Sequence, residues 1–229
     1  MNHSALEYRN VTVRYEASDT PVIDAVSFLV EPGQKVALTG LNGSGKTTLL
    51  RAAVGLVPHK GEIIVDGDAL TTSTLPKVRD RVGFLFNVPE DQLLFPNVLE
   101  DVAFGLLRRG FSRQEATAKA LSVLTSLGAS HLSRLPVHHL SHGQKQRVAL
   151  AGAMVTEPSL LLLDEPSAGL DPPGKRALAG ILRNLNAATM VATHDLDFAE
   201  QLCSRFLTID QGRISLDERD SSALRRRWA

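Results

Sequence analysis

The sequence predicts an α/β fold: a mostly parallel sheet with helices on both faces, an antiparallel β subdomain beside it and an inserted helical subdomain. Three observations lead there. Short apolar or β-branched runs alternate with stretches of helical periodicity in the first and last thirds of the chain. A glycine-rich turn at residues 40–48 stands between a strand-like run and a helix-like run. From residue 88 to residue 139 the chain is instead rich in helix formers, and the alternation stops.

The elements follow in order. "LEYRNVTVRY" and "VSFLV" alternate in strand fashion, and Pro32-Gly33 marks a turn before the strand "KVALTG". That strand runs into the glycine-rich loop, and "TTLLRAAVGL" reads as the helix behind it. In "GEIIVDGDAL" the tight-turn pair Asp66-Gly67 follows the β-branched "IIV", so antiparallel strands flank the parallel core. "VLEDVAFGLLRR" and "SRQEATAKALSVLTSLG" space their apolar residues at helical intervals, with Ser112 ahead of Gln114 and Glu115 as a cap. Beyond the insertion, "KQRVALAGAMV" predicts a helix, "SLLLLDEP" a buried strand and "PGKRALAGILRNL" a helix. "ATMVATHD" predicts another strand, and "FLTIDQGRI" a closing hairpin.

A chain of 229 residues, 43% hydrophobic and 22% charged, can bury a core of its own and is expected to form one domain. Residues 1–87 and 140–229 are assigned to its core with the β subdomain, and 88–139 to the helical subdomain. Acidic and basic residues balance at 25 each, and no block of like charge precedes the terminal "LRRRWA". That pattern argues against the broad basic surface of a nucleic-acid binder. The single cysteine, Cys203, has no intramolecular partner, which points to a reducing compartment and fits the cytosol. "MNHSALEYRN" lacks an apolar signal core, and no run approaches the ~18 apolar residues of a spanning helix. A role at a membrane would then require other chains to hold the protein there.

"GLNGSGKTT", Gly40 to Thr48, fits the spacing of glycine, four residues, glycine, lysine and a hydroxyl residue, with an extra glycine at Gly43. Such glycines allow the loop Gly40, Leu41, Asn42, Gly43, Ser44 and Gly45 to aim successive N–H groups at phosphate oxygens. The helix that follows adds its positive end. Lys46 is placed to reach the β and γ phosphates, the Thr47 hydroxyl to ligate magnesium, and Thr48 to contact the α phosphate. Nucleotide binding follows, but not the reaction, since kinases, GTPases and ATPases share this loop.

"LLLLDEP" narrows the chemistry. An apolar strand ending in Asp164 puts a carboxylate at the sheet's C-terminal edge, where it can hold magnesium through water. Glu165, one residue on, reads either as a general base for an attacking water or as a solvated strand-end acid. His194 in "ATHD" follows another buried strand and reaches the same edge, able to donate to a γ-phosphate oxygen or orient the water.

"LSHGQKQRVALA", then "LLLLDEPSAGLD", then "VATHD", together with "GLNGSGKTT", resemble the ATP-binding cassette family in content, order and spacing across essentially the whole chain. The resemblance implies a P-loop NTPase (RecA-like) core that hydrolyses ATP with Mg²⁺ in a head-to-tail dimer. Each ATP would lie between one subunit's phosphate loop and the other's signature motif, here Ser141, His142, Gly143 and Gln144. It further implies Asp164 as the magnesium aspartate, Glu165 as the catalytic base and His194 as the switch histidine on the γ phosphate. Ser167 to Asp171 would form the loop communicating across the dimer, and Tyr15 would stack on adenine, although an ordinary strand aromatic also suits its surroundings.

The chain departs from the family at one ligand. Where the family carries a glutamine touching magnesium and the attacking water, "VGFLFNVPEDQLLF" carries Asn87. The amide carbonyl is kept but reaches about 1.5 Å less, so either the loop moves closer or a water bridges. Gln92 is the rival for that position, and its acidic surroundings suit it better to partner contact.

Relatives that act on DNA insert long coiled-coil arms between phosphate loop and signature, and translation-factor relatives carry two cassettes; neither feature is present. A small P-loop kinase leaves "LSHGQ" and "SAGLD" without explanation. "PEDQLLFPNVLEDVAFGL" with "LSHGQKQRVALA" resembles the cobalt and nickel importer ATPases and their energy-coupling-factor relatives that take up vitamins. This implies a homodimer, or a heterodimer with a similar ATPase, peripheral on the cytoplasmic face of the membrane. A transmembrane coupling subunit and a substrate-binding membrane subunit would complete the assembly. A non-transport cassette acting as a nucleotide-switched binding module is the alternative of another class.

His138, His139 and His142 crowd into "HHLSH", a pattern that suits a metal site. The position of His142 inside the signature argues instead for half of an ATP site, with His138 and His139 as solvated or packing residues. The terminal "ALRRRWA" reads as a frayed end or a contact to anionic lipid.

Overall fold

The computed structural model describes residues 3–16, 19–222 and 224–225. Strands β1 (Leu6–Val13) and β2 (Ile23–Val30) pair antiparallel, and β1 also pairs with β4 (Lys60–Val65), which turns into the short β5 (Asp68–Ala69). The turn is the one the sequence marks: Asp66 and Gly67 both take positive φ, 47° and 79°, the geometry that matches strand twist in a two-residue hairpin. This four-stranded sheet, in the order β2-β1-β4-β5, is the antiparallel flank.

The central sheet has six strands in the order β10-β9-β3-β8-β7-β6. β3 (Lys35–Thr39), β6 (Val82–Leu85), β7 (Leu160–Asp164), β8 (Ala188–Ala192) and β9 (Arg205–Asp210) run parallel. β10 (Arg213–Glu218) returns antiparallel on β9 at the outer edge and runs further than the predicted hairpin. Side chains of β7 divide by period two, Leu161 and Leu163 to one hydrophobic core, Leu160 and Leu162 to the other. One core joins the sheet to the antiparallel flank, α1 (Lys46–Ala53) and Val78; the other joins it to the helices from residue 98 onward.

Those helices are α3 (Val98–Arg108), α4 (Arg113–Ser126), α5 (His142–Met154), α6 (Pro172–Arg183) and α7 (Leu196–Leu202). α4 starts where the sequence places its cap: Ser112 Oγ accepts from Glu115 N, and the Glu115 carboxylate accepts from Ser112 N. Its buried face is Ala116, Ala120 and Leu124, one residue per helical turn.

Three elements lie outside the sequence reading. α2 (Leu75–Arg81) buries only Val78, so it carries no periodic apolar signal. β6 has four residues, one of them Gly83, where a Cβ would lie 2.2 Å from the Ala153 carbonyl oxygen of α5. That close approach of helix to strand requires glycine, a residue that weakens any strand signal. α7 has seven residues, too few to display a period.

Candidate functional site

The loop after β3 is shaped by glycines that nothing else could replace. Gly45 has φ 106°, and a Cβ there would stand 2.6 Å from Ile23 Cδ1 and 3.0 Å from the Val22 carbonyl. Gly40 is held against Ile209, whose carbonyl oxygen would be 2.4 Å from an added Cβ. The loop therefore wraps onto β2 and β9 and delivers Lys46 to the first position of α1. Lys46 Nζ folds back to donate to the carbonyls of Gly40 at 2.8 Å and Leu41 at 3.1 Å. Burial lowers its pKa, against the opposing pull of Glu165 and Asp164.

A cavity of about 370 Å³ opens over this loop, lined by Asn42, Gly43, Gly45, Lys46, Thr47, Thr48, Asn87, Asp164 and Glu165, with Val22 at its side. Thr47 Oγ1 donates to Asp164 Oδ2 at 2.7 Å. Burial raises the Asp164 pKa, and the Thr47 hydrogen bond works against that rise. Tyr15 stands beside the loop with its hydroxyl 3.2 Å from Thr48 Oγ1 and its side chain 40% exposed. Leu41 projects outward, and Ser44 Oγ is buried without a hydrogen-bond partner.

β7 and β8 are paired with Asp164 opposite Ala192, so the residues just past each strand meet at one edge. Glu165 N donates to the Ala192 carbonyl, and its backbone takes φ 51°, an uncommon state for a residue with a side chain. Its carboxylate is held twice, by Thr193 Oγ1 at 3.1 Å and by His194 Nδ1 at 2.9 Å. A carboxylate that is ionised accepts only, so the ring is the donor of this pair, through Nδ1. Sequence reasoning found Glu165 and His194 but missed Thr193, whose only signal was its place beside His194.

Further supports were also missed. Gln146 Nε2 donates to the Glu165 carbonyl at 3.3 Å. Asp195 accepts from Lys175 at 2.6 Å and from Ser167 at 3.2 Å, and its second oxygen caps α7 through Phe198 N. The loop leaving Glu165 is thereby fastened to the residue after His194.

The signature residues lie elsewhere. Ser141 and Gln144 close a capping box at the start of α5, Ser141 N donating to Gln144 Oε1 at 2.9 Å and Gln144 N to Ser141 Oγ at 3.4 Å. His142 begins the helix, exposed, and lies against Gly169: a Cβ on Gly169 would be 3.6 Å from His142 Cδ2. A Cβ on Gly143 would be 3.4 Å from the Gly169 carbonyl. Asp171 caps α6 by accepting from Gly174 N at 3.0 Å. None of Ser141, His142, Gly143, Gln144 or Asp171 lines the phosphate-loop cavity.

Two expectations change. Gln92, assigned to partner contact, instead braces the interior: its Oε1 accepts from Phe86 N at 3.2 Å and its Nε2 donates to the Ala149 carbonyl at 2.8 Å. Asn87 lines the cavity and Gln92 does not. The start of the terminal basic run is anchored rather than frayed, since Arg225 pairs with Asp197 at 2.8 Å and Glu200 at 2.6 Å; residues 226–229 lie outside the described residues. His138 and His139 pack edge to face at 4.3 Å in a 3₁₀ turn, and no metal-holding group of three or more His, Cys, Asp or Glu occurs among the described residues.

Residues 23–168 match the model of the ABC transporter family. A putative ABC transporter ATP-binding protein of Geobacter sulfurreducens is 37% identical over 95% of this chain and 87% of its own length. The energy-coupling factor transporter ATP-binding protein EcfA of Methanosphaera stadtmanae is 37% identical over 91% of this chain and 77% of that one. Among solved structures, cbiO1 of Clostridium perfringens, part of the ABC transporter complex cbiONQ, superposes with a TM-score of 0.85 at 30% identity, covering 99% of this chain and 92% of that one. The phosphate loop on its strand, the paired acids at the end of β7 and these matches together establish that the chain belongs to the ABC transporter family, as an ATP-hydrolysing ATP-binding subunit.

Proposed function

We propose that this ATPase is the motor subunit of a membrane importer, binding MgATP in a head-to-tail dimer to drive uptake of cobalt or nickel ions. The observation that carries the dimer is the separation of the two half-sites: Lys46, Thr47, Asn87, Asp164 and Glu165 share one cavity that Ser141–Gln144 do not enter. A second subunit, identical or similar, completes the site by bringing its Ser141, the N–H groups that open α5 and His142 to the γ phosphate. Its Gly169, two residues before Asp171, lies against Gly143 and His142.

In this reading Tyr15 stacks on adenine, the loop N–H groups and Lys46 hold the β and γ phosphates, and Thr48 contacts the α phosphate. The hydroxyl of Thr47, the carboxylate of Asp164 and the amide carbonyl of Asn87 are oxygen donors among the residues of the cavity, a set that fits a hard cation. These three residues would hold Mg²⁺, which when bound neutralises charge on the phosphate oxygens. Glu165 takes a proton from the attacking water, and His194, oriented by the Glu165 carboxylate, faces the γ phosphate. Release of that phosphate loosens the dimer, and the two-state opening drives the membrane subunits.

Among the described residues no helix is long and apolar enough to cross a membrane, so the chain reaches the cytoplasmic face through partners. A groove of about 400 Å³ beside Leu93, Leu94, Phe95 and Pro96 suits a helix of the transmembrane coupling subunit, with a separate substrate-binding membrane subunit beyond it. Leu94 is 75% exposed there, a poor feature for a freely soluble switch module. Similarity to an energy-coupling factor ATPase favours vitamin uptake as the second reading of cargo.

Glu165→Gln tests the mechanism: ATP binding and an ATP-held dimer persist while turnover falls by about 10²-fold or more. Hydrolysis at the parental rate removes Glu165 from the role. Uptake of labelled cobalt, nickel or vitamin by cells with and without the intact ATPase identifies the cargo.

A further inference from the structure

Behind the Glu165 edge, away from the phosphate loop, lies a second cavity of about 410 Å³ that no step above uses. Three elements form it: the end of α4 with Leu127 and Gly128, the middle of α5 with Gln146, Arg147 and Leu150, and the run from Pro166 into α6. Its volume is in the range of small-molecule sites, and leucines from all three elements form its walls.

Two polar features stand out in this apolar setting. The side chain of Arg147 makes no hydrogen bond or ion pair with any described residue, so an unneutralised cation borders the cavity. The nearest carboxylate on the lining, Asp171, is turned to the cap of α6 by Gly174 N. Gln146 is only 2% exposed and is held at one end alone: Nε2 donates to the Glu165 carbonyl at 3.3 Å, while Oε1 has no partner. A buried amide fastened by one long hydrogen bond is easily reseated by whatever fills the space beside it.

We propose that this cavity binds a small amphipathic carboxylate, its charged end on Arg147 and its chain against Leu127, Leu150, Leu170 and Leu178, and that occupancy alters ATP turnover through the tie between Gln146 and Glu165. Charge complementarity selects the anion, and the leucine walls select an apolar body. The coupling follows from position. The ligand wedges between α4 and α5 on one side and the loop Pro166–Asp171 on the other, and that loop carries the backbone that sets Glu165. The effect on turnover rests on Glu165 as the base, whereas the binding does not.

Sodium decanoate, below its micelle concentration, is the probe. Titration calorimetry on the full chain should show saturable binding at one site per chain, weakened about tenfold by Arg147→Ala and restored in part by Arg147→Lys. Ala177→Phe, placed at an exposed position on α6 that lines the cavity, should abolish decanoate binding and leave ATP affinity and melting temperature unchanged. ATP turnover of the wild type should shift with the same decanoate dependence as the calorimetric binding, with no shift in Ala177→Phe. Absence of saturable binding, or equal binding by Ala177→Phe, overturns the site. Saturable binding with unaltered turnover overturns the coupling. Parental turnover in Glu165→Gln, with decanoate still bound, sinks the base assignment and leaves the binding site standing.

Discussion

Glu165 is held in a backbone conformation that costs of order 1–3 kcal/mol for a residue with a side chain, and the structure shows what holds it. The Ala192 carbonyl, Gln146, Thr193 and His194 all bond to it, fixing backbone and carboxylate together. Asn87 is the other residue on which the proposed chemistry turns, because it stands in the cavity with Thr47 and Asp164 and carries its amide on a short side chain. Asn87→Ala should lower ATP hydrolysis by about tenfold or more while changing ATP affinity little; an equal loss in binding and turnover assays would contradict that role. Glu165 and His194 were readable because each ends a recognisable strand. Thr193, Gln146 and Lys175 were not, since each acts on a residue 19 to 28 positions away along the chain, or 20 for Lys175, through contacts that only folding creates.

Among the elements, β6 shows how a weak local signal can hide an important placement. It forms the outer edge of the parallel sheet and leads directly to Asn87, yet its Gly83 is dictated by the carbonyl of Ala153 rather than by strand preference. Gly83→Ala should separate β6 from α5 and destabilise the protein by about 1–3 kcal/mol, seen as a lower midpoint in urea unfolding. α4 is the opposite case, with its start written in the sequence by Ser112 and Glu115. Ser112→Ala should cost about 1 kcal/mol in the same measurement and leave ATP affinity unchanged, since the Ser112 side chain bonds Glu115 and lines no part of the phosphate-loop cavity. Gln92 links the two elements: one side chain ties the residue before Asn87 to the middle of α5.

At the scale of the whole molecule, the sheet order puts β3 between β8 and β9 and brings the phosphate loop beside Asp164 and Glu165, with the signature turned to another face. In the proposed dimer, a subunit built this way holds both halves of a composite site and joins them only to those of a second subunit. The groove at Leu94 exposes an apolar side chain, so in the proposed importer Leu94→Glu should abolish co-purification with membrane subunits without changing the melting temperature or ATP affinity. The sequence alone determined the family, the phosphate loop, the acids at the strand end and the cap of α4, because each depends on residues adjacent in the chain. Only the tertiary structure decided that Thr193 and Gln146 hold Glu165, that Gln92 braces the interior, and that Ser141–Gln144 stay outside the cavity in which Asn87 lies. Those outcomes depend on which strands become neighbours, and local sequence carries no record of that pairing.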